Sequence, residues 1–218
     1  MTLSPAENYA LHKSKGKYPK TQKFSESFPF ELDPFQIEAC HALENGKGVL
    51  VAAPTGAGKT IIGEFAVGLV INSGGKCFYT TPIKALSNQK FTELCAKYGE
   101  SKIGLLTGDT SINSEAQIVI MTTEVLRNMI YSNSKTIDDL KYVVMDEVHY
   151  LADKFRGAVW EEILIHLSDA VQIISLSATV SNAEEFGEWL QTVRGETEVI
   201  VSEIRPVPLY QHVLFGNR

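Results

Sequence analysis

Long apolar runs are missing from this sequence: no stretch approaches the ~18 consecutive apolar residues that read as a membrane span. The opening residues, MTLSPAENYALHKSKGK, lack the apolar core of a secretory leader. Cysteine is scarce and odd in number. Cys40, Cys77 and Cys95 form no C-x-x-C pair, and each sits in an amphipathic or apolar stretch, which reads as core packing rather than as disulfides or metal ligands. The five histidines show no ligand spacing. Positive charge is also short, with 20 Lys and Arg against 26 Asp and Glu and a net charge of −6. That balance excludes a generally basic nucleic-acid-binding surface. It leaves room for a local one, because backbone amides and helix N-termini hold phosphates without net charge. The expectation is a cytoplasmic monomer with no membrane partner.

What is present is enough for one sizeable domain. The chain has 218 residues, 44% hydrophobic and 21% charged, ordinary values for a globular protein. Residues 1–27 stand apart, being polar and rich in lysine (Lys13, Lys15, Lys17, Lys20, Lys23), and read either as a mobile arm or as a phosphate-contacting one. From Phe28, short apolar runs alternate with segments of helical periodicity: GVLVAAP, KCFYTTP, IGLLTG, QIVIMTT, YVVMD, VQIISLSAT and EVIVS as strands, and FQIEACHALE, KTIIGEFAVGLVINS, IKALSNQKFTELCAKY, EVLRNMIY, AVWEEILIHL and EEFGEWLQTV as helices. Asn182 and Glu185 have the spacing of a capping box before the last helix. The pattern predicts an α/β fold over 28–204, a doubly wound, mainly parallel sheet with helices on both faces. Such sheets bind ligands at the carboxyl ends of their strands. Residues 205–218, with Pro206 and Pro208, read as an exit segment.

The first strand runs into Ala53-Pro54-Thr55-Gly56-Ala57-Gly58-Lys59-Thr60. This is the phosphate-binding pattern G-x-x-x-x-G-K-[ST] with Ala53 in place of the first glycine. Gly56 and Gly58 allow the loop to curl its N–H groups toward one anion. Lys59 is expected to reach the β- and γ-phosphates of ATP, and Thr60 to place its hydroxyl on Mg²⁺. A nucleotide hydrolase also needs an acid on a neighbouring strand for the metal and a base for the attacking water. Asp146 and Glu147, at the end of the apolar run YVVMD, are the candidates; surface acids at a strand end are the alternative. His149 is a candidate for the γ-phosphate or a neighbouring loop. Ser177 and Thr179, in SLSAT, are candidate relay hydroxyls coupling hydrolysis to movement.

The P-loop, DEVH (Asp146 to His149) and SAT (Ser177 to Thr179), in this order, resemble the first RecA-like domain of superfamily 2 helicases of the DExH-box class. TTPIKALSNQK, GLLTGD, MTTEVLRNMIY, DKFRGAVWEE and RPVPL are similar to the superkiller-type, exosome-associated RNA helicases and their bacterial relatives, over residues 28 to 215. The resemblance implies that Gln36 reads the adenine edge and that Phe30 stacks on the base. Gln36 also reads as the first polar residue of a helix, and Phe30 as a core residue. It implies contacts to single-stranded RNA, or DNA, from Pro82 and Lys84, from Thr107, Gly108 and Asp109, and from Thr122, Thr123 and Arg127, which hold the backbone without reading sequence. Gln89 and Lys90 are expected on a helix surface, and Arg156 and Trp160 in structural roles. A second RecA-like domain, reached through 205–218, would supply arginines to the transferring phosphate. The expectation is therefore an N-terminal piece of a longer helicase that alone binds ATP weakly and hydrolyses it very slowly. A DNA translocase, a non-catalytic nucleotide-dependent scaffold and a small-molecule kinase are the competing readings.

Overall fold

The computed structural model describes residues 17–148, 157–178 and 183–206. His149, Thr179, Arg156 and the candidate capping residue Asn182 lie outside them. Within them the chain runs α1 (Pro19–Ser25), α2 (Pro34–Glu44), β1 (Gly48–Ala52), α3 (Thr60–Ser73), β2 (Lys76–Thr81), α4 (Lys84–Tyr98), β3 (Ile103–Leu106), β4 (Ser111–Ile112), β5 (Ile118–Thr122), α5 (Thr123–Tyr131), β6 (Leu140–Met145), α6 (Gly157–His166), β7 (Gln172–Ser177), α7 (Ala183–Arg194) and β8 (Thr197–Val201). No helix among the described residues is long and apolar enough to cross a membrane.

The strands form one sheet in the order β4-β3-β5-β2-β6-β7-β1-β8. Every pairing is parallel except that of β3 with the two-residue β4. Helices cover both faces, and this explains the unbroken apolar runs. Val49, Val51, Tyr79, Ile118, Ile120, Val144, Ile174 and Leu176 point to the layer of α2, α3 and α4. Their neighbours Leu50, Phe78, Val119, Met121, Val143, Met145 and Ile173 point to the layer of α5, α6 and α7. With both faces buried, strict alternation of apolar and polar residues disappears. Trp160 on α6 is among the largest fully buried side chains and anchors the second layer. Cys40 and Cys77 are buried, and all three cysteines carry free thiols.

Register sets where each strand ends. Ala52 pairs with Ser177, Thr80 with Met145 and Thr81 with Thr122. The carboxyl ends of β1, β7, β6, β2, β5 and β3 therefore share one edge of the sheet.

Two expectations need correction. The end of the lysine-rich stretch is not a mobile arm, because Pro19–Ser25 is a helix. Glu44 at the end of α2 accepts from the Lys20 N–H (2.9 Å), the Thr21 N–H (2.8 Å) and the Thr21 hydroxyl (2.8 Å). Phe24 then packs its ring 5.1 Å from Phe65 of α3. Lys90 is not a surface residue either. Only 9% of it is exposed, and its ammonium lies 5.6 Å from the centre of the Tyr79 ring and bonds Glu93. Helical spacing alone does not reveal this burial.

Candidate functional site

The turn between β1 and α3 is fixed from several sides. The Ala53 N–H donates to the Ser177 carbonyl (3.1 Å), tying the start of the loop to the end of β7. Gly56 and Gly58 adopt φ of +85° and +82°, which side chains rarely tolerate. Ala53 is not among the residues with positive φ, so the methyl that replaces the first glycine of the pattern is accommodated without backbone strain. Lys59 is 8% exposed, and its ammonium donates to the carbonyls of Ala53 (2.7 Å) and Pro54 (3.1 Å). Burial lowers its pKa, while the charges of Glu147 and then Asp146 raise it. The Lys59 ammonium thus lies within electrostatic reach of both acids. Thr55 is exposed, Ala57 buried, and Thr60, half buried, opens α3.

Gln36 belongs to this loop as much as to its own helix. It is 3% exposed. Its carbonyl accepts the Asp33 N–H (2.9 Å), completing a capping box on α2, and its amide donates to the Gly58 carbonyl (3.1 Å). Gln36 is thus a helix-capping residue, as one of its two readings has it, and it also touches the phosphate loop. Phe30 is 53% exposed, its ring 5.3 Å from Phe28, so it is not a core residue.

Asp146 follows β6 directly, and its N–H donates to the Thr80 carbonyl (3.0 Å). Each carboxylate oxygen accepts a hydrogen bond, Oδ1 from the Glu147 N–H (2.9 Å) and Oδ2 from the Tyr79 hydroxyl (2.8 Å). Glu147 has φ of +56°, a strained value for a side-chain-bearing residue. Strain of this kind persists only where the surroundings impose it, and here it falls on the candidate base. Ser177 ends β7 and is 8% exposed.

The remaining candidates occupy the other half of the same edge. Pro82 is buried and Lys84, exposed, opens α4. Lys84 is not an isolated cation: its ammonium pairs with Asp109 at 2.6 Å, and Thr107 donates to the same carboxylate (3.1 Å). Strand β3 stops at Leu106 rather than Gly108, leaving Thr107 and Gly108 in the turn. Thr122 and Thr123 mark the start of α5, and the buried Thr123 hydroxyl donates to the Thr81 carbonyl (3.3 Å). Arg127 sits one turn into α5, 3.9 Å from Glu162 of α6. The structure thus gathers the described candidates along one edge: Lys59, Thr60, Ser177, Asp146 and Glu147 at β1, β7 and β6, and Pro82, Lys84, Thr107, Gly108, Thr122 and Thr123 at β2, β5 and β3. Sequence reasoning missed Tyr79, which joins the two halves; its place in KCFYTTP looked like core, and only the β2–β6 register reveals its partner.

Comparison with known proteins bears on family and fold. Residues 33–186 match the family model described as DEAD/DEAH box helicase. Among curated relatives, a probable helicase, HelY, of Mycobacterium leprae is 65% identical over 196 residues, covering 90% of this chain and 21% of the relative. Human superkiller complex protein 2 is 49% identical over 189 residues, covering 86% of this chain and 15% of the relative. The chain therefore spans about a fifth or less of the length of these relatives. Among solved structures, the Mycobacterium smegmatis helicase Lhr, bound to single-stranded DNA and AMP-PNP, superposes with a TM-score of 0.70 at 28% identity, over 86% of this chain and 28% of that one.

Proposed function

This chain belongs to the DEAD/DEAH box helicase family, with its RecA-like α/β fold, and from that premise we propose that it is the ATP-binding motor domain of an ATP-dependent helicase that moves along single-stranded nucleic acid, with RNA the favoured track. One observation carries the reading: the loop bearing Lys59 follows β1 and the pair Asp146 and Glu147 follows β6, on either side of β7 at one end of a sheet edge whose other end carries Lys84, Thr107, Gly108 and Thr122. Nucleotide chemistry and strand contact are then neighbours on a single rigid sheet.

In this reading the loop from Pro54 to Thr60 holds the triphosphate, with Lys59 moving from the Ala53 and Pro54 carbonyls to the phosphate oxygens. Gln36 and Phe30 hold the base. The donor set suits Mg²⁺, which binds through one or two carboxylates and substrate phosphates rather than an all-protein cage. Asp146 and the Thr60 hydroxyl offer hard oxygen ligands of that kind, and the described residues contain no cluster of three or more His, Cys, Asp or Glu. Bound there, Mg²⁺ would neutralise charge on the β- and γ-phosphates. Glu147 orients the attacking water and accepts its proton. Ser177, with His149 and Thr179, relays the change to the rest of the chain. A second RecA-like domain of the parent protein completes the machine in this proposal.

The test uses the longer parent protein. Glu147→Gln abolishes hydrolysis and keeps ATP binding; unchanged hydrolysis would favour the scaffold reading. Stimulation of ATPase by single-stranded RNA above that by DNA supports the RNA track, and the reverse order supports a DNA translocase.

A further inference from the structure

We propose that Tyr79 is a positioning residue for the metal site, its buried hydroxyl fixing the rotation of the Asp146 carboxylate. The inference rests on the ATP-site reading above. Tyr79 lies on β2, fully buried, and reaches across to the end of β6, where its hydroxyl donates to Asp146 Oδ2 at 2.8 Å. Oδ1 takes the Glu147 N–H at 2.9 Å. With one donor on each oxygen, the carboxylate cannot turn without breaking a bond. The carboxylate's remaining lone pairs would then be held in one orientation toward a bound metal.

The packing around the ring is built to let it through. On α3, Gly63 lies where a Cβ would stand 2.9 Å from Tyr79 Cε2 and 3.1 Å from Val144 Cγ1. The helix gives up the better helix former at this position, and the phenol passes between α3 and the sheet. Lys90 faces the same ring, 5.6 Å from its centre. A purely packing role needs only a phenyl group, which brings no hydroxyl to satisfy in the core. Partners that orient a metal ligand typically govern metal affinity by about 10–100-fold.

The experiment measures Mn²⁺ binding to the ATP complex of this chain by electron paramagnetic resonance, without turnover. Tyr79→Phe is expected to weaken Mn²⁺ binding by about 10–100-fold and to leave ATP binding without metal unchanged. Leu94→Ala, a truncation in the same core layer away from Asp146, is expected to lower the melting temperature with no effect on Mn²⁺ affinity. A Tyr79→Phe chain that binds Mn²⁺ within about twofold of wild type, far short of the expected change, overturns the inference. If Tyr79→Phe does not fold, the wild-type protein decides: the ¹³Cζ resonance of Tyr79 is expected to shift when Mg²⁺ joins the AMP-PNP complex and to stay fixed in Asp146→Asn. A resonance indifferent to Mg²⁺ overturns the proposal. Failure of the wild-type chain to bind Mn²⁺-ATP at all overturns the ATP-site reading, and this inference with it.

Discussion

Gly56 and Gly58 lie two residues apart in one loop with nearly equal φ, yet alanine at the two positions should not cost the same. At Gly56 a Cβ meets nothing within 4 Å, so Gly56→Ala bears only the backbone penalty of a positive φ, about 1–2 kcal/mol. At Gly58 a Cβ would stand 2.6 Å from the Gln36 amide nitrogen. That amide ends a flexible side chain, but the side chain is buried and held at both ends, by the Asp33 N–H and the Gly58 carbonyl. Displacing it breaks three hydrogen bonds, the third to the Ala57 carbonyl (3.4 Å), at about 0.5–1.5 kcal/mol each, which brings Gly58→Ala to roughly 2.5–6.5 kcal/mol. Urea unfolding of the nucleotide-free chain measures both, read from midpoints at constant slope. In a Gln36→Ala background the extra cost of Gly58→Ala should vanish, leaving it equal to Gly56→Ala. Equal costs in the wild-type background, or a difference that survives removal of Gln36, would refute the reasoning.

Glu44→Ala removes three hydrogen bonds that seat α1, and it should release Pro19–Ser25; hydrogen exchange there should then approach unprotected rates while β1 and β6 stay protected. Asp109→Asn frees Lys84 from its carboxylate, so the salt dependence of nucleic-acid binding should steepen by about one counterion. The chain alone should hydrolyse ATP slower than an intact helicase by a factor on the order of 10³–10⁵, the usual value of arginines supplied by a partner domain, as a phosphate-release assay would measure.

The parts of the fold that were legible in the sequence are those written locally. The runs around Val49–Ala52 and Val143–Met145 are apolar without alternation because helices cover both sheet faces, and this pattern survives without knowledge of neighbours. The phosphate loop is legible for the same reason: its glycines, lysine and threonine act within eight consecutive positions. What was not legible depends on distant partners. Helix α1 carries lysines that read as an arm, and its seat is Glu44, more than 20 residues away. Lys90 reads as solvated until Tyr79 is placed beneath it, and Tyr79 reads as core until register brings Asp146 to its hydroxyl. The pairing of Lys84 with Asp109 likewise joins two turns that only the sheet order makes neighbours.

The most direct test of the account is calorimetric titration of ATP into this chain, with Mg²⁺ and with chelator, in wild type, Lys59→Ala and Asp146→Asn. The account predicts binding to wild type that tightens with Mg²⁺, no binding to Lys59→Ala, and binding to Asp146→Asn that no longer responds to Mg²⁺. Equal binding by wild type and Lys59→Ala, or an undiminished Mg²⁺ gain in Asp146→Asn, would contradict a single grip formed by the loop and the acids.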